Sequence, residues 1–106
     1  ALSEELLEIG YTVNFVTSAD DAVTFVQNNK TDLILLDLKM PGKDGFYVLN
    51  YLRENGKDIK VVVLTAYADV KSAIDSAKLG ASDFVSKPYD LDELIITIRK
   101  VLQKIP

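Results

Sequence analysis

No cysteine and no histidine occurs among the 106 residues. The first absence excludes disulfides, thiolate metal sites and cysteine nucleophiles. The second removes Ser-His-Asp catalysis and most zinc and haem ligation. Tryptophan is missing as well, and no stretch reads as a linker or low-complexity tract. No apolar run approaches the ~18 residues of a membrane span, and no signal peptide is visible. Positive charge is the minority sign: 12 Lys and Arg stand against 16 Asp and Glu, for a formal net charge of −4. That balance argues against a nucleic-acid face driven by phosphate neutralisation. Site chemistry is left to carboxylates, lysine, arginine, hydroxyls and backbone. With 48% hydrophobic and 26% charged residues, the chain reads as one soluble, cytoplasmic domain over residues 1–106.

Helical and extended apolar periodicities alternate along the chain. Leu2, Leu6 and Ile9 share a helical face that Gly10 ends. Thr12 to Thr17 alternates as a half-polar edge strand, with Val13 and Phe15 on one side. Ser18 and Asp21 form a capping-box pattern that opens a helix running to about Asn28. Leu33-Ile34-Leu35-Leu36 and Val61-Val62-Val63-Leu64 are short, wholly apolar runs, expected of strands covered on both faces. Between them Pro41, Gly42 and Gly45 punctuate a loop, and Phe46, Leu49 and Leu52 mark a helix stopped at Gly56. From Asp69 to Leu79 a helix is expected to bury only Val70, Ala73, Ile74 and Ala77 before Gly80 ends it. Phe84-Val85 marks another inner strand, stopped at Lys87-Pro88. Asp90 and Glu93 then open a helix whose stripe is Leu91, Leu94, Ile95, Ile98, Val101, Leu102 and Ile105. The order α-β-α-β-α-β-α-β-α predicts an α/β fold, a parallel sheet with helices on both faces and right-handed crossovers.

In open α/β sheets, sites lie beyond the carboxyl ends of the strands. Those positions hold Asp37, Thr65 and Lys87. Singly, each has an ordinary reading: a loop cap, a β-branched strand end and a snorkelling surface lysine. Together at neighbouring strand ends they suit an anionic group bound at a carboxylate. Lysine supplies charge, threonine a hydrogen bond, and aspartate a nucleophile or metal ligand.

The segments Leu33-Ile-Leu-Leu-Asp-Leu-Lys-Met-Pro-Gly-Lys-Asp-Gly45, Val63-Leu-Thr-Ala-Tyr67 and Phe84-Val-Ser-Lys-Pro88 carry a resemblance to the receiver domain of two-component response regulators. The resemblance covers essentially the whole chain and implies a flavodoxin-like fold. It implies that Asp37 accepts a phosphoryl group from a phosphohistidine on a sensor histidine kinase. Lys87 would pair with the phosphoryl oxygens, and the Thr65 hydroxyl would bond to them once the site closes. Mg²⁺ would be held by Asp37 and the Lys39 backbone carbonyl, and Lys39 and Tyr67 would tune dephosphorylation. Phe84 matches an aromatic switch position coupled to Thr65, and the Lys87-Pro88 peptide would be cis. In-line phosphoryl transfer asks for positioned charge, which this set offers.

Receivers open with a central first strand ending in two acidic residues that hold Mg²⁺. This sequence starts partway through the first helix, and Glu4-Glu5 read as solvated helix residues. An inner strand contributes several buried side chains at ~1.5–3 kcal/mol each and ladder bonds at ~1 kcal/mol each, comparable to the ~5–15 kcal/mol stability of a domain. Two repairs are expected of a chain without it. Copies associate through exposed strand edges, or Thr12 to Thr17 slides beside Leu33 to Leu36 and brings Asp20 and Asp21 toward Asp37. Association is the favoured one. Mg²⁺ is expected to bind weakly, and phosphorylation to be slow. The competing function is a receiver-like scaffold that takes no phosphate and acts through oligomerisation. A flavin-type binder lacks its phosphate loop, and no acid–base pair for a multiple-turnover enzyme can be named.

Overall fold

The computed structural model describes residues 2–38, 44–66 and 70–103. Its elements run α1 (Leu2–Ile9), α2 (Ala19–Asn28), β1 (Leu33–Asp37), α3 (Gly45–Glu54), β2 (Lys60–Ala66), α4 (Val70–Lys78), β3 (Asp83–Lys87) and α5 (Leu91–Gln103). The three strands form one parallel sheet in the order β1-β2-β3. The fold is α/β, with helices against both faces of the sheet.

Pleating divides the core in two. Val61 and Val63 of β2, with Leu36 of β1, point to one side, where they meet Ala22 and Val26 of α2 and Val48, Leu49 and Leu52 of α3. Val62 and Leu64 point to the other, against Leu6 of α1 and Leu94, Ile98 and Val101 of α5. A strand buried on both faces needs an unbroken apolar run, and β2 has one: residues 61–64 are all buried. The equally apolar β1 is only half-buried apart from Leu36, because among the described residues it pairs on one side alone.

Local chemistry starts the helices where expected. Ser18 caps α2, its hydroxyl accepting from the Asp21 backbone N–H at 3.0 Å. Asp90 serves α5 through a carboxylate that accepts from Asp92 N at 2.9 Å. Gly10, Gly56 and Gly80 all have positive φ, the conformation a glycine adopts freely after a helix.

Four expectations are corrected. Residues 12–17 form no strand and join no sheet, so neither the edge strand nor its slide beside β1 is found. A strand exists only through ladder bonds to a neighbour, and this segment has no strand beside it among the described residues. Val13 packs partly against the α1/α5 side, while Phe15 is 79% exposed. In α1, Leu6 is buried but Ile9 is exposed. In α4, Ser76 is buried while Ile74 and Ala77 are exposed; the side chains of Val70 and Ala73 lie outside the described residues. A small hydroxyl side chain lets this helix sit close to β2, an inward face that apolar periodicity does not reveal. Lastly, Leu102 stands exposed at the end of the α5 stripe, while Ile105 lies outside the described residues.

Candidate functional site

Strand register sets the site. Asp37, the last residue of β1, is level with Leu64; Thr65 is level with Ser86, and Ala66 with Lys87. Lys87 therefore stands two residues further along the sheet than Asp37, and two strands away. That is about 7 Å along and about 10 Å across, which a near-extended lysine and an aspartate together span. The lysine stem crosses the end of β2, and Nζ donates to Asp37 Oδ2 in an ion pair. Both side chains are 40% exposed, so the pair is open to a solvent-borne reactant.

Pleating puts Asp37 and Lys87 on the side of Leu35 and Val85, and Thr65 on the side of Val63. Thr65 is buried at 6% exposure. Phe84 lies on Thr65's side of the sheet, on the neighbouring strand and level with Val63, and is 51% exposed. The structure thus brings Asp37 and Lys87 into contact, with Thr65 one residue beyond Asp37's row and Phe84 on the strand beside it. The Lys87-Pro88 peptide is cis. Lys39 and Tyr67 lie outside the described residues.

Two contributors to the site were not singled out from sequence. Asp44 caps α3, its carboxylate accepting from Phe46 N at 3.1 Å. Gly45, read as loop punctuation and as the last residue of the segment that carries the resemblance, but given no role, packs directly on the backbone of Asp37 and Leu38. Aspartate just ahead of a helical pattern is a start signal that locates the first. Nothing in the sequence reports the close approach behind the second.

Asp20 and Asp21 lie exposed in the first turn of α2. Among the described residues, no group of three or more acidic side chains is gathered to hold a metal. Magnesium is bound through one or two carboxylates together with substrate phosphates and waters. Asp37, paired with Lys87, is a carboxylate at this edge that could serve such an ion, and the Lys39 carbonyl lies outside the described residues.

The fold is a parallel α/β domain that brings a paired aspartate and lysine to its carboxyl edge, with a buried threonine on the strand between them. The family model of the response regulator receiver domain matches residues 1–99, and the chain belongs to that family. It is 33% identical over 99 residues to the transcriptional regulatory protein DltR of Streptococcus agalactiae, covering 93% of this chain and 44% of that protein. It is 33% identical over 103 residues to the transcriptional regulatory protein PcoR of Escherichia coli, covering 97% of this chain and 46% of that one. The chain therefore spans less than half the length of these relatives. Among solved structures, it superposes on the response regulator TrrA from Thermotoga maritima, in complex with Mg²⁺-BeF, with a TM-score of 0.82 and 34% identity. That match covers 94% of this chain and 85% of TrrA. No helix among the described residues is long and apolar enough to cross a membrane.

Proposed function

We propose that this domain is the phosphoryl-accepting switch of a two-component regulator, charged at Asp37 by a sensor histidine kinase in the cytoplasm. The observation that carries this reading is the Asp37–Lys87 ion pair at the open carboxyl edge of the sheet. An Asp37 carboxylate oxygen attacks the phosphorus of the donor in line. The new O–P bond forms as the donor's P–N bond breaks, and the imidazole leaves with the electron pair. A half-exposed ion pair is worth little in itself, so Lys87 is released cheaply from the carboxylate to the phosphoryl oxygens. The Thr65 hydroxyl then donates to one of those oxygens, and Phe84 turns inward with it. Nothing in this chemistry calls for multiple turnover on a small molecule.

Mg²⁺ is the metal this reading implies, held by Asp37 and the Lys39 carbonyl, and TrrA's complex with Mg²⁺-BeF supports it.

The test is incubation with acetyl phosphate and Mg²⁺, read by intact-mass spectrometry. A phospho-adduct that disappears in Asp37→Asn is the expected result. A folded chain that forms none overturns the phosphoacceptor reading.

A second reading is favoured by one observation: β1 is an apolar strand with an open edge among the described residues, and Phe15 is exposed. Such edges pair with other chains. Under this reading the chain self-associates and acts as a scaffold. A monodisperse monomer in sedimentation velocity at high concentration removes it.

A further inference from the structure

Gly45 opens α3 and is buried, yet it is not among the glycines with positive φ. Its small size, not its backbone freedom, is what the fold uses. A Cβ built at this position would lie 2.8 Å from Leu38 Cα, 2.9 Å from the Asp37 carbonyl oxygen and 3.0 Å from Leu38 Cδ2. Two of these three neighbours are backbone atoms of the segment that carries Asp37, and they cannot swing aside as a side chain can. The two segments are also tied directly, Gly45 N donating to Leu38 O at 3.0 Å.

Something must shift to admit a methyl group, and the packing decides what. Helix α3 is held by Val48, Leu49 and Leu52, all buried in the core. β1 is held by its ladder to β2 up to the Asp37–Leu64 pair. Leu38 lies one residue past that ladder: its side chain is buried in the same core, but its backbone lacks the strand pairing that holds Asp37. The displacement therefore falls on the Asp37–Leu38 peptide.

We infer that Gly45 is a positioning residue for Asp37. By letting the first turn of α3 close onto the Asp37–Leu38 backbone, it sets where the Asp37 carboxylate stands against Lys87. This inference rests on the phosphoacceptor reading of Asp37. Relieving a 2.8 Å contact to ordinary van der Waals distance takes a shift of about 0.5 Å, the tolerance of a working site. A 1 Å misplacement costs about 100-fold in rate, so the expected loss in Gly45→Ala is about tenfold.

The experiment compares the 106-residue wild type with Gly45→Ala and Gly80→Ala. Gly80 has a φ of +100° and open space within 4 Å of where a methyl would stand, so its substitution strains the fold without crowding the site. Adduct formation from saturating acetyl phosphate is followed by intact mass, below the melting temperature of every variant. Gly45→Ala is expected to be about tenfold slower than wild type, and Gly80→Ala to match wild type. Equal rates in Gly45→Ala and wild type, or equal slowing in both variants, overturn the positioning role. If Gly45→Ala does not fold, the comparison is repeated in trimethylamine N-oxide, which strengthens burial. A chain still unfolded there makes the glycine's role purely structural, which also overturns the inference.

A wild type that forms no adduct is a failure of the Asp37 reading alone. The Asp37 carboxyl ¹³C resonance then decides the positioning question. A resonance that moves in Gly45→Ala and not in Gly80→Ala upholds it, and one unmoved in both overturns it.

Discussion

Lys87 reaches over the end of β2 to pair with Asp37, tying the first and third strands of the sheet across the second. At 40% exposure for each side chain, water screens the attraction. A pair of this kind contributes at most ~1 kcal/mol to folding. Under the proposed phosphoryl transfer its larger role lies in the reaction, where an ammonium facing three phosphoryl oxygens is worth far more. Lys87→Met is therefore expected to shift chemical denaturation by no more than ~1 kcal/mol while slowing adduct formation by about 100-fold. A stability loss of several kcal/mol with an unchanged rate contradicts this division.

Ser18 holds one of the orphan N–H groups at the start of α2, and α2 packs against α3 beside β1. Ser18→Ala removes that acceptor and is expected to cost ~1 kcal/mol by urea denaturation, with an unchanged rate of adduct formation. Ser18→Gly is expected to cost only a few tenths, because water reaches the freed N–H. Equal losses for the two substitutions contradict the capping assignment.

The parts legible in the sequence are those set by local pattern. Val61 to Leu64 is apolar at every position because β2 is buried on both faces, and a strand covered on one face alone would alternate. Asp37, Thr65 and Lys87 follow from it, since strand ends can be counted and parallel strands end on one edge. Residues 12–17 carry a strand pattern, but a pattern does not supply a neighbour, and none lies beside them among the described residues. Ile74 points outward while Ser76 points in, because the space between α4 and β2 is decided by how closely they pack. Gly45 closes the segment that carries the resemblance, but its packing role is invisible until Leu38 Cα is found 2.8 Å from where its methyl would be.

Ser76 is buried near the C-terminal end of α4, where a larger side chain would have to displace its neighbours. Ser76→Leu is expected to destabilise by ~1–3 kcal/mol through overpacking, in spite of the better hydropathy. Ile74→Ser, on the exposed side of the same helix, is expected to stay within ~0.5 kcal/mol of wild type. Thermal melts of the two variants read both at once. A stabilised Ser76→Leu would mean that the inner side of α4 has room to spare.

Phe15 is 79% exposed in a segment that joins no sheet, so it contributes little to the folded core. Phe15→Ser is expected to leave the denaturation midpoint within ~0.5 kcal/mol of wild type. Its effect should appear in association, because an exposed large aromatic, together with a β1 edge that is open among the described residues, is a ready contact for another chain. Sedimentation velocity across a concentration series is expected to show wild type moving to larger species and Phe15→Ser remaining smaller. Adduct formation at Asp37 should be the same in both, since Asp37 pairs with Lys87 and not with this segment. If Phe15→Ser associates as strongly as wild type, the open edge of β1 is the remaining candidate contact. A charged substitution at half-buried Leu35, on the α1/α5 face of that edge, then tests it directly.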